Sequence, residues 1–287
     1  MARRILLTIA VSAALVYVLA VAYMASQETR LVFAAGNPLA QSRPASPFEQ
    51  VDLVRPDGLR QFAWILRSPA GADSAPWLLY LHGNRATVAS RVNILRYEQF
   101  RALGLHVFAP EYRGYGGLDG SPSEASVTQD ARHAYAHLRT SLGVPPERII
   151  IFGWSLGAAI AVNLASEVDE AAVILEGAPA SLVAIGERNY PWLPVRLIMR
   201  NTFESILKVP RVGSPMLFLH SPDDQVIPID EARRLFAAAR EPKQFVEVAG
   251  GHTAPADADG ERYFGAVASF LAAHGLLPAA AVSRHRE

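Results

Sequence analysis

The pentapeptide Gly153-Trp154-Ser155-Leu156-Gly157 follows the apolar run Arg148-Ile149-Ile150-Ile151-Phe152 and leads into the small-residue stretch Ala158-Ala159-Ile160-Ala161-Val162. This is G-x-S-x-G in a strand–turn–helix setting, which lifts a serine hydroxyl above a sheet for attack on a carbonyl. The turn is sharp enough that a Cβ at either flanking position would meet neighbouring backbone, so glycine is required on both sides. A chain carrying this feature needs a strand buried on both faces and a helix packed directly behind it.

The chain has 287 residues, enough for one large α/β domain. Lysine plus arginine and aspartate plus glutamate both number 27, so no net charge selects nucleic acid or a polyanionic substrate. Basic patches interleaved with aromatics are also missing from the sequence. Cysteine is absent, which excludes thiol catalysis, cysteine-based zinc sites and disulfides.

At the amino terminus, Arg3 and Arg4 precede Ile5 through Ala25, an uncharged run of 21 residues. As a helix it spans about 30 Å, the thickness of a bilayer's hydrocarbon core. The paired arginines predict a single-pass anchor over residues 1–25 with its amino end in the cytoplasm and the body across the membrane. The alternative is a cleaved secretory signal, with Ala20-Val21-Ala22 as the processing site and a secreted or periplasmic product.

Residues 26–49, rich in Ser, Pro, Ala, Gly and Gln, read as a linker. Val51-Asp52-Leu53-Val54, a turn at Pro56-Asp57-Gly58 and Phe62-Ala63-Trp64-Ile65-Leu66 read as a hairpin. Strands are then expected at Trp77–His82, His106–Pro110, Arg148–Trp154, Ala172–Glu176, Pro215–His220 and Gln244–Val248. Helices are expected at Val88–Leu103, Ser126–Leu142, Ala158–Glu167, Asp230–Ala239 and Glu261–His274. Such alternation implies an α/β domain over residues 50–275, with a mostly parallel sheet of about eight strands and helices on both faces. From about 180 to 213 no strand pattern appears. This stretch, with Tyr190, Trp192, Leu193 and Phe203, reads as a small helical cap above the carboxyl ends of the strands. Residues 276–287 form an Ala-rich, then charged, tail.

A serine needs a base, and the base needs an orienting acid. Asp223 and Asp224 follow the predicted strand ending at His220, Glu176 ends another, and Gly250-Gly251-His252 follows the last one. Ser, then Asp, then His is a chain order that can build a triad. Leu81-His82-Gly83-Asn84, Glu111-Tyr112-Arg113-Gly114-Tyr115-Gly116, Pro122-Ser123-Glu124, the serine pentapeptide, His220 through Pro228 and Gly250-Gly251-His252 complete the pattern. With these six motifs in order, the chain resembles the α/β-hydrolase superfamily. Within it, the chain is similar to the membrane-anchored Bem46-like branch, grouped with serine aminopeptidase S33-like and lysophospholipase-like hydrolases.

The resemblance implies the α/β-hydrolase fold, with Ser155 as nucleophile, His252 as base and Asp224 as acid. It selects Asp224 over Asp223 by its place four residues after His220 and four before Pro228, and leaves Glu176 structural. It further implies an oxyanion hole from the backbone N–H groups of Leu156 and Asn84. Relatives often carry Ala-Gly after the Asn, where this chain has Arg85-Ala86; Arg85 reads as solvated, the alternative being contact with an anionic substrate group. His82 and the motif residues Arg113 and Tyr115 read as structural. His133 and His137, at i and i+4 of a helix, read as a surface pair rather than half a metal site.

The implied activity is a membrane-tethered serine hydrolase acting on a carboxylic ester, thioester or amide of a small or lipid-like acyl substrate, with no metal or organic cofactor. A peptidase-like amidase, an acyltransferase and a non-catalytic anchored interaction protein stand as alternatives.

Overall fold

The structure, a computed structural model, describes residues 1–53, 55, 57–69 and 75–278. Val54 of the expected first hairpin strand, Pro56 of the turn, and the tail from residue 279 onward lie outside the described residues. Eight strands form one sheet: β1 (Glu49–Leu53), β2 (Gln61–Leu66), β3 (Trp77–Leu81), β4 (His106–Pro110), β5 (Ile149–Trp154), β6 (Ala172–Glu176), β7 (Met216–His220) and β8 (Lys243–Glu247). Their spatial order is β1-β2-β4-β3-β5-β6-β7-β8. The β1–β2 and β2–β4 pairs are antiparallel, and the other five pairs are parallel.

The helices are α1 (Ala2–Phe33), α2 (Arg91–Ala102), α3 (Glu124–Thr140), α4 (Leu156–Ala165), α5 (Leu182–Asn189), α6 (Val195–Ile198), α7 (Ser205–Lys208), α8 (Ile229–Ala238), α9 (Pro255–Ala258) and α10 (Gly260–Ala273). Central strands read as unbroken apolar runs because both faces are covered. Trp77, Leu79, Leu81, Ile149 and Ile151 enter the core on one side, beneath α3 and α4. Leu78, Tyr80, Ile150 and Phe152 enter the core on the other side, with Tyr97 of α2 and Phe264 of α10. The period-two alternation thus divides one continuous run between two cores. All ten residues of α4 are buried, and its alanines and glycine let it lie close against β5.

Helix α3 begins with a capping box: the Ser123 hydroxyl accepts from the Ser126 N–H, and the Ser126 hydroxyl accepts from the Ser123 N–H. The next residue, Glu124, reaches into the cap. Its carboxylate accepts from the Phe203 N–H (2.8 Å), Lys208 Nζ (2.8 Å) and Asn163 Nδ2 (3.2 Å). Burial works to raise its pKa, but Lys208 and these N–H donors outweigh it and hold the carboxyl below its ordinary range. The cap itself is α5, α6, α7 and a 3-10 turn at Val209–Arg211.

The amino-terminal helix departs from the expected anchor-plus-linker division. It is long and apolar enough to cross a membrane, but it runs on through residues 26–33, which were expected to be a linker. Those last turns are docked on the body. Glu28 is buried and accepts from the N–H groups of Arg200 and Asn201, both at 2.7 Å, and from Asn201 Nδ2 at 3.0 Å. Phe33 is fully buried, edge-on to Phe203; burying a side chain of that size is worth about 1.5–3 kcal/mol. The helix ends at Ala34 in the left-handed conformation, φ 33°, and the irregular segment is confined to 34–48.

Glu170, in the turn before β6, accepts from Ser214 Oγ at 2.6 Å, and its second carboxylate oxygen is buried without a hydrogen-bond partner. Burial pushes its carboxyl up to about 7, partly countered by the Ser214 hydroxyl and reinforced by the charge of Asp169. A carboxyl that holds its proton more tightly when folded contributes its full stability below the unfolded carboxylate range. That contribution is lost as pH rises through the folded value. Chemical denaturation at pH 5 and pH 8 is therefore expected to show a loss of about 1–3 kcal/mol in the wild type. Glu170→Gln is expected to remove most of that difference, and equal pH dependence in both proteins would refute the assignment.

Candidate active site

Parallel β3 and β5 lie side by side, with Leu81 opposite Gly153. The loop His82-Gly83-Asn84 and the turn carrying Ser155 therefore leave the sheet next to each other. A Cβ at Gly157 would sit 2.0 Å from the Leu81 carbonyl oxygen, and one at Gly153 would sit 2.3 Å from the Gly157 carbonyl oxygen. Neither neighbour is a flexible side chain, so both positions require glycine. Ser155 is held at φ 55°, ψ −120°, a conformation rare for a residue with a side chain. Its N–H donates to the Glu176 carbonyl (2.9 Å) and its carbonyl accepts from the Ala158 N–H (2.9 Å).

This turn aims Ser155 Oγ at His252 Nε2, 2.8 Å away, and His252 Nδ1 lies 2.7 Å from Asp224 Oδ2. The other Asp224 oxygen accepts from the N–H groups of Val226 and Ile227, both at 2.8 Å. Burial alone would raise the Asp224 pKa; the hydrogen bond and charge of His252, with those two backbone donors, more than reverse it and keep the carboxylate ionised. With Asp224 as a pure acceptor, the imidazole carries its proton on Nδ1 and leaves Nε2 bare toward the serine. Ser221 Oγ accepts from the Gly251 N–H (3.0 Å) and Trp154 Nε1 donates to the His252 carbonyl (3.1 Å), so the histidine loop is tied at two points.

Asp223 is exposed. Glu176 is buried but faces away from His252: its carboxylate accepts from Arg96 Nε (3.0 Å) and Tyr263 Oη (2.6 Å). Arg96 in turn lies over the Trp154 ring at 4.9 Å. Burial lowers the pKa of His220, against the opposing pull of the Ile227 carbonyl and Asp224. Its Nε2–H donates to the Ile227 carbonyl at 2.9 Å, which fixes the loop bearing Asp224.

Leu156 opens α4, where the first N–H groups have no intrahelical acceptor. Asn84 is fixed through its side chain: Nδ2 donates to the Val32 carbonyl (2.8 Å), and Oδ1 accepts from the Arg85 N–H and from Tyr115 Oη, both at 2.9 Å. Tyr115 Oη also donates to the Phe33 carbonyl. Thus the end of α1 supports the loop after β3, a link that no sequence motif carried. Below that loop, His82 is fully buried with Nε2 2.8 Å from Glu111 Oε1 and Nδ1 2.9 Å from the Gly83 carbonyl. Both ring nitrogens are occupied, so this histidine is structural.

Above Ser155 lies a cavity of about 780 Å³. Leu182, Ile185 and Met199 of the cap region, Met24 and Val32 of α1, and Asn84, Ser155 and His252 all border it. Its lining is mostly apolar with a smaller number of polar groups, Asn84, Ser155 and His252 among them, the usual form of a small-molecule site.

The chain matches the Alpha/beta hydrolase family over residues 70–206. Uncharacterized protein Rv2307c of Mycobacterium tuberculosis is 36% identical over 255 residues, covering 88% of this chain and 90% of that protein. The chain belongs to the α/β-hydrolase family. Lysophosphatidylserine lipase ABHD12 of Danio rerio is 32% identical over 189 residues, covering 60% of this chain and 49% of that protein. With protein YfhR of Escherichia coli, 30% identical over 217 residues, these relatives accord with the Bem46-like branch. The Pyrococcus furiosus esterase Pf2001 superposes with a TM-score of 0.69 at 17% identity, covering 82% of this chain and 98% of that one. That likeness shows the hydrolase fold.

Of the other sequence candidates, only Arg85 borders the cavity. His133 and His137 are half-buried rather than on the surface, His137 stacking on Phe108. No metal-ligating cluster occurs among the described residues. Arg113 pairs with Asp130 (2.6 Å), shaping the loop after β4. Arg85 is exposed at the cavity wall with φ 59°.

The two buried carboxylates separate experimentally. Asp224→Asn is expected to lower kcat by about 10³–10⁴-fold with little change in melting, by leaving the imidazole in the wrong tautomer. Glu176→Gln is expected to cost about 3–5 kcal/mol of stability by stranding Arg96, measured by denaturation, with a far smaller effect on kcat in the folded fraction. The reverse pattern would assign the acid to Glu176.

Proposed function

We propose that this protein is a membrane-tethered serine hydrolase that cleaves an acyl ester through an acyl-enzyme, with Ser155, His252 and Asp224 as its triad. The observation that carries the reading is the unbroken hydrogen-bonded chain from Ser155 Oγ through His252 to Asp224 beneath an apolar cavity. His252 Nε2 accepts the Ser155 proton as Oγ bonds to the substrate's carbonyl carbon, and the carbonyl oxygen takes up the electron pair. The N–H groups of Leu156 and Asn84 stabilise that oxyanion, the first reinforced by the amino-terminal end of the α4 dipole. When the tetrahedral intermediate collapses, the leaving alcohol departs with the proton held on His252. Water then gives a proton to His252 as its oxygen attacks the acyl-enzyme, and the second intermediate collapses with that proton returned from His252 to Ser155 Oγ, releasing the carboxylic acid. Asp224 stays ionised throughout and stabilises the imidazolium.

An ester of lipid-like character is favoured by the apolar wall of the cavity and by relatives named as an esterase and a lysophosphatidylserine lipase. Helix α1 serves as an uncleaved anchor, with its arginine-bearing end in the cytoplasm and the body on the other side.

The test is a panel of p-nitrophenyl esters, acyl thioesters and aminoacyl amides, with fluorophosphonate labelling, run on wild type and Ser155→Ala. Ester turnover and covalent labelling are expected in the wild type, both falling by at least about 10⁴-fold in the variant. Undiminished turnover in folded Ser155→Ala would remove Ser155 from the chemistry.

A further inference from the structure

Helix α1 and the cap run alongside each other much further than a tether requires. Glu28 binds the backbone of Arg200 and Asn201. Earlier on the helix, Met24 and Val21 pack against Val183, Leu193 and Val195. Earlier still, Tyr17 Oη donates to the Trp192 carbonyl at 3.1 Å. Tyr17 to Glu28 is about 16 Å of helix axis, and most of that length belongs to the uncharged run Ile5–Ala25.

This register has a geometric consequence. Upstream of Tyr17 the uncharged run extends only from Ile5 to Val16, about 18 Å of helix against a hydrocarbon thickness of about 30 Å. The span cannot be completed without the part of α1 that touches the cap. A bilayer that accommodates α1 therefore also meets Trp192 and its neighbours.

The chemistry of that edge suits a lipid surface. Trp192 and Leu197 are 50% and 85% exposed, beside exposed Pro191. Exposed Arg188 and Arg196 flank them, and Arg196 carries its counter-ion Glu187 at 2.9 Å. An exposed tryptophan and leucine bordered by arginines are the composition of the boundary between headgroups and acyl chains. The catalytic cavity is walled by the same helix, from Met24, at the membrane end, to Val32, which holds Asn84. Those two residues stand about 12 Å apart along the axis.

We propose that the cap edge from Tyr190 to Ile198 is seated in the lipid surface beside α1, and that the substrate is an acyl-ester lipid taken directly from the bilayer. Its chain passes along α1 from the level of Met24, and its ester reaches Ser155 without crossing bulk water. The docking stands on the α1–cap register, and the loading rests on the hydrolase reading above.

Full-length protein in phosphatidylcholine vesicles provides the test. Of the four tryptophans, Trp64, Trp77 and Trp154 are buried and Trp192 is half exposed. Lipids brominated on the upper acyl chain are expected to quench Trp192, and Trp192→Phe is expected to remove most of the quenchable emission. Quenching by aqueous iodide instead, or protection from both quenchers as under a covering protein, would overturn the docking. For loading, Trp192→Glu combined with Leu197→Glu is expected to slow hydrolysis of a long-chain ester in vesicles at least about tenfold, leaving a short soluble ester unaffected. No loss, or parallel loss on both substrates, would overturn it. If the wild type cleaves neither ester, the hydrolase reading fails and lipid loading with it, while the quenching measurement still decides the docking.

Discussion

Everything at the catalytic end of the sheet depends on α4 approaching β3 and β5 more closely than a side chain permits. Gly157 presses on the carbonyl oxygen of Leu81 and Gly153 on that of Gly157. Only with that approach can the chain reverse within Ser155 itself, at φ 55°. The strain localised there, of order 1–3 kcal/mol, is sustained by a helix whose ten residues are all buried. The same approach sets the electrostatics. A fully buried helix terminus keeps its partial positive charge unscreened, and the turn directs it at the space above Ser155. The backbone strain at Ser155 and the first N–H groups of α4, without intrahelical acceptors, are therefore two results of one packing contact.

Two buried carboxylates at the ends of adjacent strands have opposite fates, and their partners decide which. Glu176 on β6 is saturated by the Arg96 guanidinium and the Tyr263 hydroxyl, leaving it no reach toward an imidazole. Asp224, just after β7, has one oxygen fixed by two backbone N–H groups and the other free to face His252. The Glu176–Arg96 pair still serves the site indirectly. Arg96 supports the Trp154 ring, Trp154 ties the His252 carbonyl, and Gly83 leaves room for that ring against the loop after β3.

Much of this was legible in the sequence because its signals are local. The parallel strands emerge within a residue or two of their apolar runs, since burial on both faces forces continuous hydrophobicity. Ser155, Asp224 and His252 were readable as candidates from short motifs that follow strands. Where sequence reading faltered, the deciding partner was distant. Helix α2 starts at Arg91 rather than Val88, because the Val88 N–H is taken by Glu111 and Thr87 and Ser90 bond each other. Ser26, Gln27, Glu28 and Arg30 look like the start of a linker. They are helical because Glu28 finds Asn201, 173 positions away. Nothing near Tyr115 announces that its hydroxyl bridges Phe33 and Asn84, and Trp154 gives no local sign that it holds the histidine loop.

Asn201 shows how these long-range contacts combine. Its backbone N–H and side-chain amide donate to Glu28 of α1, and its Oδ1 accepts from the Glu124 N–H at the start of α3, at 2.7 Å. Helix α1, cap and α/β body thus meet at one buried side chain. A cap hinged at this end would have to strand several polar groups away from water, at about 1–3 kcal/mol for each. The cap is therefore fixed to α1 at Arg200 and Asn201, between α6 and α7. Between Leu182 and Met199 the contacts with α1 are instead mostly apolar, with one hydrogen bond from Tyr17 Oη to the Trp192 carbonyl. Helix α1, long and apolar enough to cross a membrane, is in this way also one wall of the cavity above Ser155.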